Sequence, residues 1–264
     1  MTRASLSSIL SFTRERVAAL RPRARELERA AAAARSPVPF HAALHGTSIG
    51  VIAEVKRRSP SAGDIRGDLD PVTHAQAYVA GGAVALSVLT DERHFGGSLE
   101  DLERVVQAVP VPALLKDFVL DEVQLLQARA VGASAVLLIA RILEPAQLAA
   151  LSRAARNMEL GVLVEVHSPP ELNGALAAEP TAVGVNSRDL DTFAVNLGLL
   201  ESLLPLVPRD VPAVAESGIE TRADVTRMAA AGADLVLVGT SVARAADPAA
   251  AVRELCGVPR VGRL

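Results

Sequence analysis

Tryptophan is absent from this sequence, and aromatic residues as a whole make up 2% of it: one Tyr and five Phe in 264 residues. Half of the residues are nonetheless apolar. A large core is therefore available, and it must be built from Val, Leu, Ile and Ala. A single cysteine, Cys256, excludes an intrachain disulfide and suits a reducing compartment. Neither sign of charge dominates. The formal net charge of −3 supplies no basic footprint for nucleic acid, and no acidic tail is present. Long apolar runs are missing too: the longest, such as Ala135 to Ala140, fall far short of the ~20 residues a membrane span needs. The N-terminal stretch carries Arg3, Arg14, Glu15 and Arg16 without an apolar block, unlike a secretory signal. These absences lead us to expect a soluble, cytoplasmic, monomeric protein without nucleic-acid or membrane partners.

What is present is an alternation. Residues 4–35 are rich in Ala, Leu, Arg and Glu and read as one or two amphipathic helices ending before Ser36-Pro37. Apolar strand candidates then follow at 51–55, 83–89, 111–115, 135–140, 161–166, 182–185, 211–215 and 234–238. Helical patterns separate them at 71–80, 99–108, 120–130, 145–156, 169–178, 197–204 and 222–231, with a last one at 248–255. Gly81-Gly82, Gly132 and Gly232 each close a helix just before the next strand. Strands apolar on both faces belong to a parallel sheet covered by helices. Eight such βα units predict an α/β fold, a closed (β/α)8 TIM barrel with an N-terminal helical extension. We expect one domain over 1–264, with the extension at 1–48 and the barrel at 49–258. An open doubly wound sheet is the alternative, and the lack of Gly-x-Gly-x-x-Gly after the first strand disfavours it.

In such a barrel the chemistry sits where the strands end. Here nearly every strand is apolar until its last residues and then turns polar. The first ends in Glu54 and Lys56, two apart and so facing one side. Taken alone, that pair reads equally well as a buried structural ion pair. The others end in Ser87 to Asp91, Lys116-Asp117-Phe118, Arg141, Glu165 with His167, Asn186 to Asp189, Glu216-Ser217-Gly218 and Gly239-Thr240-Ser241. So many polar residues on one rim predict a functional site. The small, glycine-bearing ends of the seventh and eighth strands suit phosphate, held by backbone N–H groups, with 241–245 as a candidate short helix. Lys56, Lys116, Glu54, Glu165 and Asn186 form a second cluster with both acid and base capacity. The five histidines show no metal-ligand spacing, so no metal is expected. His167 is a neighbour of the candidate base. Phe95 and Phe118, scarce aromatics at strand ends, read either as core or as the flanks of a planar ligand.

Together these residues resemble a known family, the indole-3-glycerol phosphate synthases. The motifs are Ile52-Ala-Glu54-Val-Lys56-Arg-Arg-Ser59-Pro60-Ser, Thr90-Asp-Glu-Arg-His-Phe95-Gly-Gly-Ser98, Leu115-Lys116-Asp-Phe118, Val164-Glu165-Val-His167, Gly184-Val-Asn186-Ser-Arg188-Asp-Leu, Ala215-Glu216-Ser217-Gly218-Ile and Val238-Gly239-Thr240-Ser. They stand in the family's order across residues 51–241, and the helical extension resembles the family as well. The resemblance implies decarboxylating ring closure of 1-(2-carboxyphenylamino)-1-deoxyribulose 5-phosphate to indole-3-glycerol phosphate, carbon dioxide and water, with no cofactor. It implies Lys116 as general acid at the ribulose carbonyl, Lys56 at the substrate carboxylate and sharing proton transfer in the dehydration, and Glu165 as base in that step. Glu54 and Asn186 would orient Lys116 and the substrate hydroxyls. Ser217, Gly218, Gly239 and Thr240 would cradle the phosphate, Ser217 counting with the catalytic set as well. Ser59 and Arg188 would complete the rim. Phe95, Phe118 and Leu137 would line the anthranilate pocket, with Glu216 and Leu237 also against the substrate.

Three positions depart from the family's usual pattern: Ser187 where Ala is frequent, Leu115 where Arg is frequent, and Thr240 where Ser is frequent. None carries an implied catalytic role. Two other readings are weighed against this one. A phosphoribosylanthranilate isomerase needs a Cys/Asp acid–base pair, and Cys256 lies far past the last strand. A catalytically silent barrel would have lost a lysine or glutamate from the rim, where Lys56, Lys116, Glu54 and Glu165 all stand.

Overall fold

A computed structural model describes residues 5–263. Arg3 and Ala4, part of the proposed N-terminal helical segment, lie outside the described residues. Eight parallel strands close into a barrel: β1 Gly50–Val55, β2 Ala85–Leu89, β3 Ala113–Lys116, β4 Ala135–Ile139, β5 Gly161–Val166, β6 Ala182–Asn186, β7 Ala213–Glu216 and β8 Leu235–Val238. Each strand pairs with the next in sequence, and β8 pairs with β1 in the register Gly50 to Leu235. A parallel sheet has no free edge only when it closes in this way.

The N-terminal extension is α1 Leu6–Leu20, a 3₁₀ turn Arg21–Arg23 and α2 Ala24–Ala33. The helices that follow are α3 Pro71–Ala80, α4 Glu92–Phe95, α5 Leu99–Ala108, α6 Glu122–Ala130, α7 Pro145–Asn157, α8 Pro169–Ala177, α9 Leu197–Leu203, α10 Arg222–Ala230, α11 Thr240–Arg244 and α12 Pro248–Leu255. Most start as the chain chemistry demands. Asp70, Asp91, Ser98, Asp121, Ser168, Asn196, Thr221 and Asp247 each cap a first turn by accepting a backbone N–H. Among the described residues no helix is long and apolar enough to cross a membrane.

Two apolar layers result. The outer faces of the strands, Val51, Val88, Leu115, Leu138, Val164 and Val185 among them, pack under the helices. The inner faces contribute Ile52, Leu114, Leu137, Leu163, Val214 and Leu235 to a packed barrel interior. Phe40, on the 3₁₀ turn Phe40–Leu44, plugs the end where the strands begin. Gly161 leaves it room, since a Cβ there would lie 2.7 Å from Phe40 Cβ.

The structure differs from the sequence reading in detail. β3, β6 and β7 extend to include their polar last residues, Lys116, Asn186 and Glu216. The ladder with neighbouring strands holds these backbones extended whatever the side chain, as in the pairing of Asn186 with Glu216. The structure also has a small antiparallel hairpin, Arg58–Ser59 with Gly63–Asp64, and the one-turn helix α4, for which the sequence gives no signal. Both are too short to show a period.

Candidate active site

The polar strand ends converge on a cavity of about 340 Å³ at the C-terminal mouth of the barrel. On β1, Glu54 and Lys56 face inward together, and Lys56 Nζ donates to Glu54 Oε1 at 2.5 Å. Ser87 Oγ of β2 donates to the other oxygen of Glu54 at 3.5 Å. Lys116 ends β3 and crosses the cavity, where its Nζ lies 3.1 Å from Glu165 Oε2 of β5 and 3.6 Å from Glu216 Oε2 of β7. Three strands thus meet at one ammonium. Neighbouring glycines make the meeting possible. A Cβ on Gly184 would stand 2.0 Å from Glu216 Oε1, so β6 leaves the space that the carboxylate fills.

The rim beyond β6, β7 and β8 has a different character. Ser217 and Gly218 both adopt left-handed backbone, with φ of 69° and 74°. For Gly218 this is unstrained, whereas Ser217 is held there, its carbonyl accepting from Ser187 Oγ at 2.9 Å. Gly239 lies directly beside Glu54 and Lys56 and leads into α11. Arg188 donates its backbone N–H to Asn186 Oδ1 at 3.0 Å and a guanidinium N–H to the Phe193 carbonyl at 3.0 Å. Ser59 sits on the hairpin after β1 and accepts from the Ala62 N–H at 3.1 Å. The remaining wall is apolar. Phe95 and Phe118 stand with ring centroids 6.3 Å apart, and Leu137 and Leu237 complete it.

Every residue singled out from the sequence as catalytic or substrate-binding lines this one cavity. The sequence reading missed Leu6 and Ile9 of α1, which close one side, and Leu190, Phe193 and Ile219. The apolar period of α1 marks Ile9 as buried. It carries no information about which end of the barrel the helix covers.

Residues 6–255 match the family model described as indole-3-glycerol phosphate synthase. The chain belongs to that family. Among its relatives, the indole-3-glycerol phosphate synthase of Mycobacterium avium is 45% identical over 252 residues, which is 95% of this chain and 93% of that protein. The Nocardioides protein of the same name is 49% identical over 224 residues, 85% of each chain. Two solved structures share the fold at low identity. They are 3-hexulose-6-phosphate synthase from Salmonella typhimurium (17% identity, TM-score 0.62, 78% of this chain and 96% of that chain) and thiamine phosphate pyrophosphorylase from Pyrococcus furiosus (20%, 0.58, 78% and 93%).

The electrostatics of this family member follow from its burial. Burial pushes the Lys116 ammonium towards neutrality, but Glu165, Glu216 and Glu54 outweigh it and hold its pKa above the ordinary lysine value. For Glu165, burial is likewise outweighed by Lys116 and His167, which keep it below the usual carboxylate range and ionised. Glu216 goes the other way. Burial, with Glu165 and Glu54 nearby, pushes it up to about 8 despite the pull of Lys116 and His167. Two carboxylates on one ammonium cannot both stay ionised cheaply, and the one farther from Nζ takes the proton. The site therefore holds a charged ammonium, an ionised carboxylate and a neutral carboxyl side by side.

Proposed function

We propose that this chain closes the indole ring of 1-(2-carboxyphenylamino)-1-deoxyribulose 5-phosphate, releasing carbon dioxide and water to give indole-3-glycerol phosphate in tryptophan biosynthesis. One observation carries the assignment of roles: a single ammonium, Lys116, held between Glu165 and Glu216 at the floor of a cavity with an apolar wall on one side and a glycine-bearing rim on the other. The substrate has the matching three parts: a planar carboxyphenyl ring, a ketone and a phosphate.

The phosphate binds the backbone N–H groups around Ser217, Gly218, Gly239 and Thr240, with Arg188 and Ser59 closing the rim. The ring lies between Phe95, Phe118, Leu137 and Leu237. Lys56 meets the ring carboxylate. The ring carbon bearing that carboxylate attacks the ketone carbon, and Lys116 gives its proton to the ketone oxygen as the C–C bond forms. The C–CO₂ bond then breaks, its electron pair restoring the aromatic ring. Glu165 removes a proton from the methylene carbon beside nitrogen, the new hydroxyl leaves as water with a proton from the lysine pair, and the pyrrole ring becomes aromatic. Glu54, Glu216 and Asn186 hold the two ammonium groups and the substrate hydroxyls in place. A charged Lys116 and an ionised Glu165 are the states these steps need. General acid or base assistance of this kind is typically worth ~10²–10⁴-fold per group. The protein is read as a cytoplasmic monomer, a state that size-exclusion chromatography tests directly.

The decisive experiment is a fluorescence assay of indole-3-glycerol phosphate formation in buffer containing EDTA. Steady turnover is the expected result. Saturable substrate binding without product would instead mark a barrel that binds and does not react.

A further inference from the structure

One arginine at the end of a barrel strand stands outside the cavity and yet grips a loop that lines it. Arg141 sits on the 3₁₀ turn Ala140–Ile142 that follows β4. Its guanidinium reaches past β5 to the loop that follows β6. There one nitrogen donates to Asp189 Oδ2 at 3.0 Å and another to the Asp191 carboxylate. Glu171 of α8, itself 3.4 Å from His167 Nδ1, adds a third negative charge near the same guanidinium.

The gripped loop is compact. Its base is closed by an antiparallel bridge between Arg188 and Val195 and by the Asn196 N–H donating to the Ser187 carbonyl at 2.9 Å. Its tip turns on Asp189, whose Oδ1 accepts the backbone N–H groups of Asp191 at 3.1 Å and Thr192 at 2.7 Å. The Asp189 carbonyl accepts the Phe193 N–H at 2.9 Å. Phe193 is left-handed, with φ of 60°. A bulky residue seldom adopts that backbone, and it persists only where the surroundings hold it.

This conformation aims a charge. The Phe193 carbonyl accepts from the Arg188 guanidinium at 3.0 Å, and Arg188, Leu190, Phe193 and Val195 all line the cavity. Burial works against the charge on Arg188 and lowers its pKa, with Glu54 opposing. A guanidinium so desolvated turns out to water unless it is held. The hold runs from Arg141 through Asp189 to Phe193 and from there to Arg188.

We infer that Arg141 is a positioning residue: by pinning Asp189 and Asp191 it fixes the loop after β6 in the conformation that aims Arg188 at the substrate phosphate. The inference rests on the place given to Arg188 under the proposed function. Arg141 does not touch the substrate. Its effect falls on the phosphate end of the cavity and leaves Lys116 and Glu165 as they are.

Steady-state turnover of the carboxyphenylamino substrate by the whole protein tests this, with inorganic phosphate as a competitive inhibitor that reports on the phosphate end alone. Exposed ion pairs each bias an equilibrium by about two- to fivefold. A loop less often in its binding conformation weakens apparent affinity by the same factor. In R141A, KM for substrate and Ki for phosphate should both rise by about five- to tenfold, with kcat and the thermal melt near wild type. D191N should show part of this rise. R141A/D191N should show no more than R141A, because among the described residues the Asp191 carboxylate binds Arg141 alone. Added salt should narrow the gap between wild type and R141A, since screening weakens the half-exposed clamp that the variant lacks. Unchanged KM and Ki in R141A overturn the inference. So does a rise in KM without a rise in Ki, which would place the loop's effect on the apolar wall instead of on Arg188, and so does an additive double variant. If R141A does not fold, D191N carries the comparison of KM with Ki. Absence of product with the wild type overturns the underlying reading of the site instead.

Discussion

Gly239, at the end of the last barrel strand, makes room for the ion pair at the end of the first. A Cβ on Gly239 would stand 2.5 Å from Glu54 Oε1 and 2.9 Å from Lys56 Nζ, which themselves lie 2.5 Å apart. The pairing of β8 with β1 brings these residues together across the closure of the barrel.

Gly239→Ala should therefore act on activity more than on fold. Its backbone is not in the left-handed region, so alanine brings no strain of its own, and the Glu54–Lys56 pair must shift instead. A displacement of this size is expected to lower kcat/KM by about 10²-fold, with circular dichroism unchanged. Wild-type kcat/KM would show that the position of the pair is unimportant.

Lys116→Ala removes the proposed acid. Turnover should fall by about 10²–10⁴-fold. The fold should survive, because Glu216 already favours its neutral form and Glu165 can still pair with His167. Steady-state assays with a thermal melt check both halves, and near-normal kcat would remove Lys116 from its role.

Arg16→Ala should uncouple the N-terminal helix from the barrel. Arg16 of α1 donates to Asp117 Oδ2 at 2.7 Å, and Asp117, directly after Lys116, is 7% exposed and also accepts from Thr90 Oγ1 at 2.8 Å. Burial already holds the Asp117 pKa above the usual carboxylate value despite Arg16. Removing one partner of such a pair costs about 3 kcal/mol, readable by urea denaturation. Since Leu6 and Ile9 of the same helix line the cavity, KM should rise with it. An unchanged KM would separate the helix from substrate binding.

Glu216 sets a pH dependence of stability. Its pKa is raised in the folded protein to about 8, from about 4.5 when unfolded. Between those values the folded state holds a proton that the unfolded state has lost, so stability falls as pH rises. The contribution is full below about pH 4.5 and is gone above about pH 8. Chemical denaturation of wild type and Glu216→Gln at pH 5 and pH 8 should show the wild type losing more stability over this interval. Parallel curves would mean that Glu216 is ionised throughout.

The legibility of this chain in its sequence had a physical basis and a physical limit. The βα units show because a strand buried on both faces must be apolar along its length, while Gly82, Gly132 and Gly232 adopt the left-handed backbone that ends each helix. The site shows because Glu54, Lys116, Glu165 and Glu216 interrupt apolar strands where a charge is costly without partners. The hairpin at Arg58–Asp64 and the one-turn helix at Glu92–Phe95 did not show, since neither is long enough to repeat a pattern. His167 was marked only as a neighbour of Glu165. Its bracketing by Glu171 depends on how helix α8 leaves the strand.

Local sequence, then, determined the number and order of the strands, the helix ends and the set of charged residues on the rim, because period, capping and desolvation act on residues near one another in the chain. Tertiary structure alone decided which carboxylate faces which ammonium. Lys116 meets Glu165 and Glu216 from strands 49 and 100 positions further along. Arg16 reaches Asp117 across 101 positions. Glu165 and Glu216, alike in sequence as buried glutamates ending apolar strands, are driven in opposite directions by their surroundings: burial pushes both up, but Lys116 at 3.1 Å and His167 outweigh it for Glu165, whereas Glu165 and Glu54 add to it for Glu216, 3.6 Å from the same ammonium. Coulomb energies in a buried site turn on such distances, and only the closing of the barrel sets them.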